Sequence, residues 1–482
     1  MLNNYKLGIE INPVDKSLNI SAVFDFVKIV HHEGIAFFLN KNLTINEIKL
    51  NGDPIKLKRK RLPSTSRMSH AIKYTYEEKK IENYRDYMIE IKYSGFIDTI
   101  YENDDCLCFS THDFWIPIFE GFPQFMYLAA FYLPLDFNII LQGSPIQSEM
   151  KEEFKLSFWE RDYMDFDIPV FLSRNLKEIK SDSGFEIYST YAIPEDKIET
   201  LSQVISKIID VFKNKFKFKI NNALKFVVVN KDMDISGKYF STIFDEEIKA
   251  DNIKLFTKII RTLLNISSEI SDDSWILFGL VNYYLYIYLG EAKGERASNG
   301  VIEDWKTFLF SLSKMESLLN NKTGENNNIL LNKKAPYIFK MLETILGKET
   351  FLNIISELLQ KDTFNSMTTY EFIEYINKFS KKSLEHFLLQ ALHEREIPKI
   401  RINKHIMTEP DGKIKFYGEI IQETSIPFEI PVIFDFEFKN GTTERRIHTI
   451  KKFKERYEFV FPTKPTKYSY NKDSEILVQI RS

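Results

Sequence analysis

Histidine is the side chain best suited to hold a catalytic metal, so its spacing is the first test of what this chain can do. The eight histidines are His31, His32, His70, His112, His386, His393, His405 and His448. Zinc-dependent hydrolysis on a helix needs two His at i and i+4, which lie on one face, with a Glu beside the first to act on the bound water. No H-E-x-x-H occurs: His32-Glu33 is followed by Gly34, Ile35 and Ala36, and His393-Glu394 is followed by Ile397 where the second His would stand. His386 and His393 are seven residues apart, two helical turns, too distant for one ion without further ligands. All eight read as solvated or hydrogen-bonded residues, and His112-Asp113, just before Trp115, reads as structural.

Other chemistries are equally bare. Cys106 and Cys108, the two cysteines, share a face of a strand but cannot easily bridge, which leaves neither a disulfide framework nor a Cys-type zinc site. There is no G-x-S-x-G nucleophile turn, and Gly184, Gly237 and Gly290 form no phosphate-binding loop. The basic runs at 56–61 and 213–219 read as solvated faces, and the net charge of −3 argues against a nucleic-acid stripe. In KFKFK the alternation predicts a strand, lysines on one side and phenylalanines on the other.

The elements that would position any site fall into three blocks. The length of 482 residues is too great for one core. Residues 1–165 carry short alternating or apolar runs split by turns, with Asn51-Gly52 a hairpin signal, and predict an antiparallel β domain. Residues 166–395 predict a mainly helical domain, with helices near 200–213, 253–268, 274–290, 301–320, 334–346, 348–360, 369–379 and 383–392, a strand at 224–229, polar loops at 290–300 and 320–328, and Gly347 as a helix cap. Residues 396–482 predict a β-sandwich, with Asn440-Gly441 a second hairpin turn. The fold class expected is therefore multi-domain α+β. The N-terminus has no signal-peptide pattern, and the longest apolar run, Trp275 to Leu289, is shorter than the roughly 20 residues a membrane span takes. A cytoplasmic location is expected.

This order, with several local phrases, resembles the aminopeptidase N family of zinc peptidases (gluzincins), which includes the leukotriene hydrolases. The phrases are FWIPIF and FMYLAAFYLPLDFNIILQG, with Trp115, Pro117, Pro134 and Gly143; LKFVVVNKDMDISGKYFSTI; WILFGLVNYYLY; and MLETILGKETFLNIISELL, leading through EREIPKIRI into the last block. The resemblance covers essentially the whole chain and implies a thermolysin-like middle domain, a zinc cofactor and a cleft that holds peptides.

The same resemblance implies that the chemistry has been erased. Gly279 and Tyr283 match the family's second active-site helix, which puts its ligand Glu on Phe278. The family's spacing puts H-E-x-x-H on Leu255-Phe256-Thr257-Lys258-Ile259, so both His ligands and the general base fall on apolar residues. The catalytic Tyr falls near Asn332, with Tyr337 close but out of register. The edge-strand Glu that grips a free amine falls on Lys238, of opposite sign. Independently of register, residues 233–276 contain no histidine.

Two readings of the apolar replacements stand: a filled core where the metal was, since unpaired polar groups are costly there, or a cleft re-tuned for apolar segments. Tyr283, Tyr284, Tyr286 and Tyr288 read as helix packing. The expectation is an inactive aminopeptidase-like protein with no cofactor and no metal. It would bind a peptide or protein partner through Lys238, Ser236, Tyr239, Phe278 and Tyr337, with strand addition along 236–243 and a preference for an acidic group at Lys238. The alternatives are a hydrolase with a non-standard site and a purely structural docking subunit.

Overall fold

The computed structural model describes residues 4–27, 35–63, 70–77, 86–97, 101–103, 106–120, 124–165, 167–182, 184–217, 220, 223–229, 236–237, 239–264, 273–312, 317–318, 325–361, 364 and 367–481. It is a mixed α+β structure with eight α-helices among these residues. The chain divides into two compact units, one of residues 1–205 and 220–267, the other of 206–219 and 268–482.

The first unit is built on an eight-stranded sheet in the order 144–150, 155–165, 125–133, 4–12, 17–27, 86–96, 43–50, 53–54. Strand Asn4–Asn12 alternates as its sequence requires, burying Tyr5, Leu7, Ile9 and Ile11. It pairs antiparallel with Ser17–Val27 but parallel with Phe125–Leu133 (Tyr5 opposite Tyr127), so the sheet is not wholly antiparallel. The long connection between these two strands permits the crossover that a parallel pair needs. The Asn51-Gly52 turn forms as the sequence predicts, both residues at positive φ (51° and 90°), and joins Leu50 to Asp53.

A second, five-stranded sheet runs 177–182, 185–189, 224–229, 240–244, 236–237. Its centre is Leu224–Val229, parallel to both neighbours and buried at every residue, which is why LKFVVV shows no alternation. Helix α1 (Glu195–Phe216) carries Glu195 and Asp196 in its first turn and Lys213 and Lys215 in its last, matching the helix dipole. Of the KFKFK run at 215–219, expected as a strand, Lys215 and Phe216 are helical, and Phe218 and Lys219 lie outside the described residues. Phe212 and Phe216 sit one turn apart on a single face, both fully buried, and that spacing overrides the alternation. Helix α2 (Ile253–Leu264) packs on strand Phe240–Phe244.

The second unit holds α3 (Ser274–Lys293), α4 (Glu295–Ser311), α5 (Glu325–Leu346), α6 (Lys348–Leu359), α7 (Thr369–Ser380) and α8 (Glu385–His393). Two sheets follow, ordered 454–461, 414–422, 399–408, 479–481 and 443–450, 430–437, 467–470. Their facing aromatics, among them Phe416, Phe434, Phe436 and Phe461, are buried against one another. Gly347, at φ 85°, separates α5 from α6 as expected. The polar loop expected at 290–300 is instead helical on both sides of Gly294, which alone supplies the break at φ 86°. Residues 325–328, expected in a loop, open α5. That helix also runs through Pro336, because Leu331, Ala335, Ile338, Phe339 and Leu342 form a buried stripe.

Candidate functional site

In the first unit the positions in question lie on α2. Asn252 starts this helix, its side-chain oxygen accepting from the Lys254 N–H at 2.9 Å. Leu255, Phe256, Ile259, Ile260 and Leu263 then recur at helical spacing and form the buried face. Leu255, Phe256 and Ile259 are each 0% exposed. These are hydrocarbon side chains with no lone pair to offer a metal and no proton to exchange with a water. The residues present do not fit a zinc ion. Among the described residues, no three His, Cys, Asp or Glu side chains are grouped to hold one elsewhere.

Beside α2 runs the edge of the five-stranded sheet. Ser236 and Gly237 form its last described strand, antiparallel to Phe240–Phe244 through the pairs Ser236–Ser241 and Gly237–Phe240. Tyr239 turns the corner with φ 60°, donating its N–H to the Thr262 carbonyl at 3.2 Å. Its ring meets Tyr163 edge-on at 5.4 Å, and burial pushes its hydroxyl up to about 12. Tyr239 is thus mostly enclosed, and Lys238 lies outside the described residues.

A buried polar knot also lies in this unit. The Arg161 guanidinium is 1% exposed. It donates to the side chain of Gln142 (2.8 Å) and to the carbonyls of Phe125 (2.7 Å), Asp165 (3.1 Å) and Asp167, and lies over the rings of Phe125, Tyr127 and Tyr163. Asp167 in turn accepts from the Thr111 N–H at 2.8 Å. The signal in the sequence was an Arg within the alternating strand KLSFWERDYMD, where a charge on the inward face requires partners. His112-Asp113 belongs to the same neighbourhood. The Asp113 carboxylate accepts from the Ser110 N–H at 2.7 Å, its carbonyl accepts from Asn40 at 2.8 Å, and the His112 carbonyl is 2.9 Å from His70 Nε2. Burial raises the Asp113 carboxyl above its ordinary range.

In the second unit, α3 is apolar on every face and correspondingly buried. Phe278 is 7% exposed. The Asn282 amide, one turn on, donates to the Phe278 carbonyl at 3.0 Å and to the Asn332 side-chain oxygen at 2.9 Å. Phe278 and Asn332 are therefore neighbours through Asn282. Gly279 lets α3 and α5 approach: a Cβ there would lie 3.0–3.1 Å from Phe339 and Ala335. Tyr337 is 0% exposed and its hydroxyl is donated to the Ser474 carbonyl, which leaves it no surface for a ligand. Tyr283 donates to Glu343 at 2.7 Å and Tyr284 stacks on Phe212 at 3.9 Å, so these rings are packing residues.

No known family model matches the sequence, and no curated protein matches it. Among solved structures, the chain is similar to Legionella pneumophila aminopeptidase A in complex with aspartic acid, with a TM-score of 0.75 and 14% sequence identity. The match covers 100% of this chain and 59% of that one. At such identity the likeness shows the fold, which is aminopeptidase-like. No helix among the described residues is long and apolar enough to cross a membrane.

Proposed function

We propose that this protein keeps an aminopeptidase-like fold without the metal-dependent hydrolytic chemistry the fold is known for, and that it works by binding a peptide or a segment of a partner protein. The observation that carries the reading is the complete burial of the hydrocarbon side chains of Leu255, Phe256 and Ile259. A helix face committed to the core has no role left in polarising a carbonyl or activating water.

In this reading the peptide adds as a strand beside Ser236–Gly237, the last described strand of its sheet, and alternate side chains supply selectivity. Lys238, next to that edge in sequence, favours an acidic residue in the ligand. The structural neighbour holding aspartic acid makes the same ligand class the first to try here. The enclosure of Tyr337 and Tyr239 narrows the ligand contacts to the edge backbone and Lys238.

The test is fluorescence polarisation with labelled peptides carrying Asp or Lys at the N-terminus. The Asp peptide is expected to bind more tightly, and Lys238→Glu to weaken it at least about tenfold, or about 1.4 kcal/mol. Equal affinity for both peptides, unchanged by Lys238→Glu, would overturn the edge as the site. Turnover of aminoacyl reporter substrates by the purified chain would overturn the loss of hydrolysis.

A further inference from the structure

Lys334 stands on α5 with its side chain turned into the second unit, 3% exposed. Among the described residues its amine makes a single hydrogen bond, to the carbonyl of Glu394 at 2.9 Å, which leaves two N–H groups unmatched by them in a desolvated place. Beside it is a cavity of about 40 Å³, more than a single water requires. The walls are Ile338 and Met341 of α5, Phe387 and Ala391 of α8, and Phe428 and Leu477 from the strand region.

The polar groups around the cavity are already engaged. Gln390 donates to the Pro427 carbonyl and accepts from the Glu429 N–H, both at 2.8 Å. Glu396 accepts from Ser425, and the Glu429 carboxylate pairs with Lys451 at 2.9 Å. With Glu394, Glu396 and Glu429 all lining the cavity, the local charge opposes an anionic ligand. A neutral molecule with a short apolar body fits both the walls and the charge.

We propose that Lys334 is a reactive amine that captures short-chain aldehydes of two to four carbons as an imine within this cavity. The nitrogen lone pair attacks the carbonyl carbon, forming a C–N bond while the carbonyl oxygen takes up a proton. The resulting carbinolamine then loses water, leaving Lys–N=CHR. One amine and one aldehyde give one imine and one water, with no oxidant or reductant. Burial keeps the amine reactive at neutral pH, pushing its pKa down to about 7 with the Glu394 charge acting against that shift. An ordinary surface lysine near 10.4 has under about 0.1% of its amine neutral at pH 7, against roughly half for Lys334, an advantage of about a thousandfold.

The test is reductive alkylation with propionaldehyde and cyanoborohydride at pH 7, mapped by peptide mass spectrometry over the whole chain. Lys334 is expected to be propylated at least about tenfold faster than the median lysine. Its rate should level off above about pH 8, while surface lysines keep gaining toward pH 10. Ala391→Leu, which fills the cavity, is expected to slow Lys334 labelling at least about fivefold and leave other lysines unchanged. Labelling of Lys334 no faster than the median would overturn the proposal, as would a rate that follows the surface lysines with pH. Unchanged labelling in folded Ala391→Leu would also overturn it. The pH profile needs only the unaltered protein, so the proposal stays testable if the variant does not fold.

Discussion

Replacing Lys334 by Met tests the energetics of the second unit at a point where the structure sets the magnitude. The amine titrates at 10.5 when solvated and at about 7 in its buried position. Between those values the unfolded chain holds a proton that the folded chain has shed, so stability rises with pH across that window and is lowest at and below about pH 7. At about 1.36 kcal/mol per pH unit, the buried amine costs about 4 kcal/mol at pH 7 and about 1 kcal/mol at pH 9.5. Methionine keeps the length and apolar stem of the side chain and removes this cost. It also leaves the Glu394 carbonyl without its hydrogen bond, which offsets about 1–3 kcal/mol of the gain. Lys334→Met is therefore expected to be about 2 kcal/mol more stable than the parent at pH 7, with the advantage falling by about 3 kcal/mol between pH 7 and 9.5. Urea unfolding of both proteins at the two pH values measures this directly. A variant less stable at pH 7, or a difference that does not change with pH, would refute the reasoning.

Substitutions at three further positions probe the buried packing described above. Gly279→Ala places a Cβ 3.0–3.1 Å from Phe339 and Ala335 and should cost about 1–3 kcal/mol in denaturant unfolding; a neutral result would mean α3 and α5 can separate freely. Arg161→Met strips four acceptors of their buried partner and should destabilise the first unit by about 3–5 kcal/mol, seen as an early unfolding transition. Ile259→Asn should cost more than about 2 kcal/mol while Ile259→Val costs about 1; a well-tolerated Asn would indicate a wet cavity beside α2 instead of a packed core.

Much of the architecture could be read from residue patterns, because periodicity reports burial directly. Asn4–Asn12 and Ile414–Gln422 alternate in sequence and in exposure. Gly347 breaks the helices where only a positive φ fits. Misreadings came where local signals and tertiary packing disagree. The Asn run that opens α5 suggests a loop, yet the buried stripe from Leu331 to Leu342 holds the helix together. KFKFK alternates, but Phe212 and Phe216 are claimed by a helix face against Tyr284. At the site, the apolar side chains of Leu255, Phe256, Ile259 and Phe278 were legible from the sequence alone. The Arg161 knot and the Lys334 cavity were not, since their partners are backbone carbonyls and residues distant in sequence that no local pattern brings together.

If this chain lacks metal-binding chemistry, as proposed, its zinc content will show it. Protein purified without chelator and without a histidine tag should carry less than about a tenth of an equivalent of zinc by elemental analysis, because Leu255, Ile259 and Phe278 offer no ligand atoms. One full equivalent, retained through dialysis, would contradict the account and return a metal-dependent hydrolase to the lead.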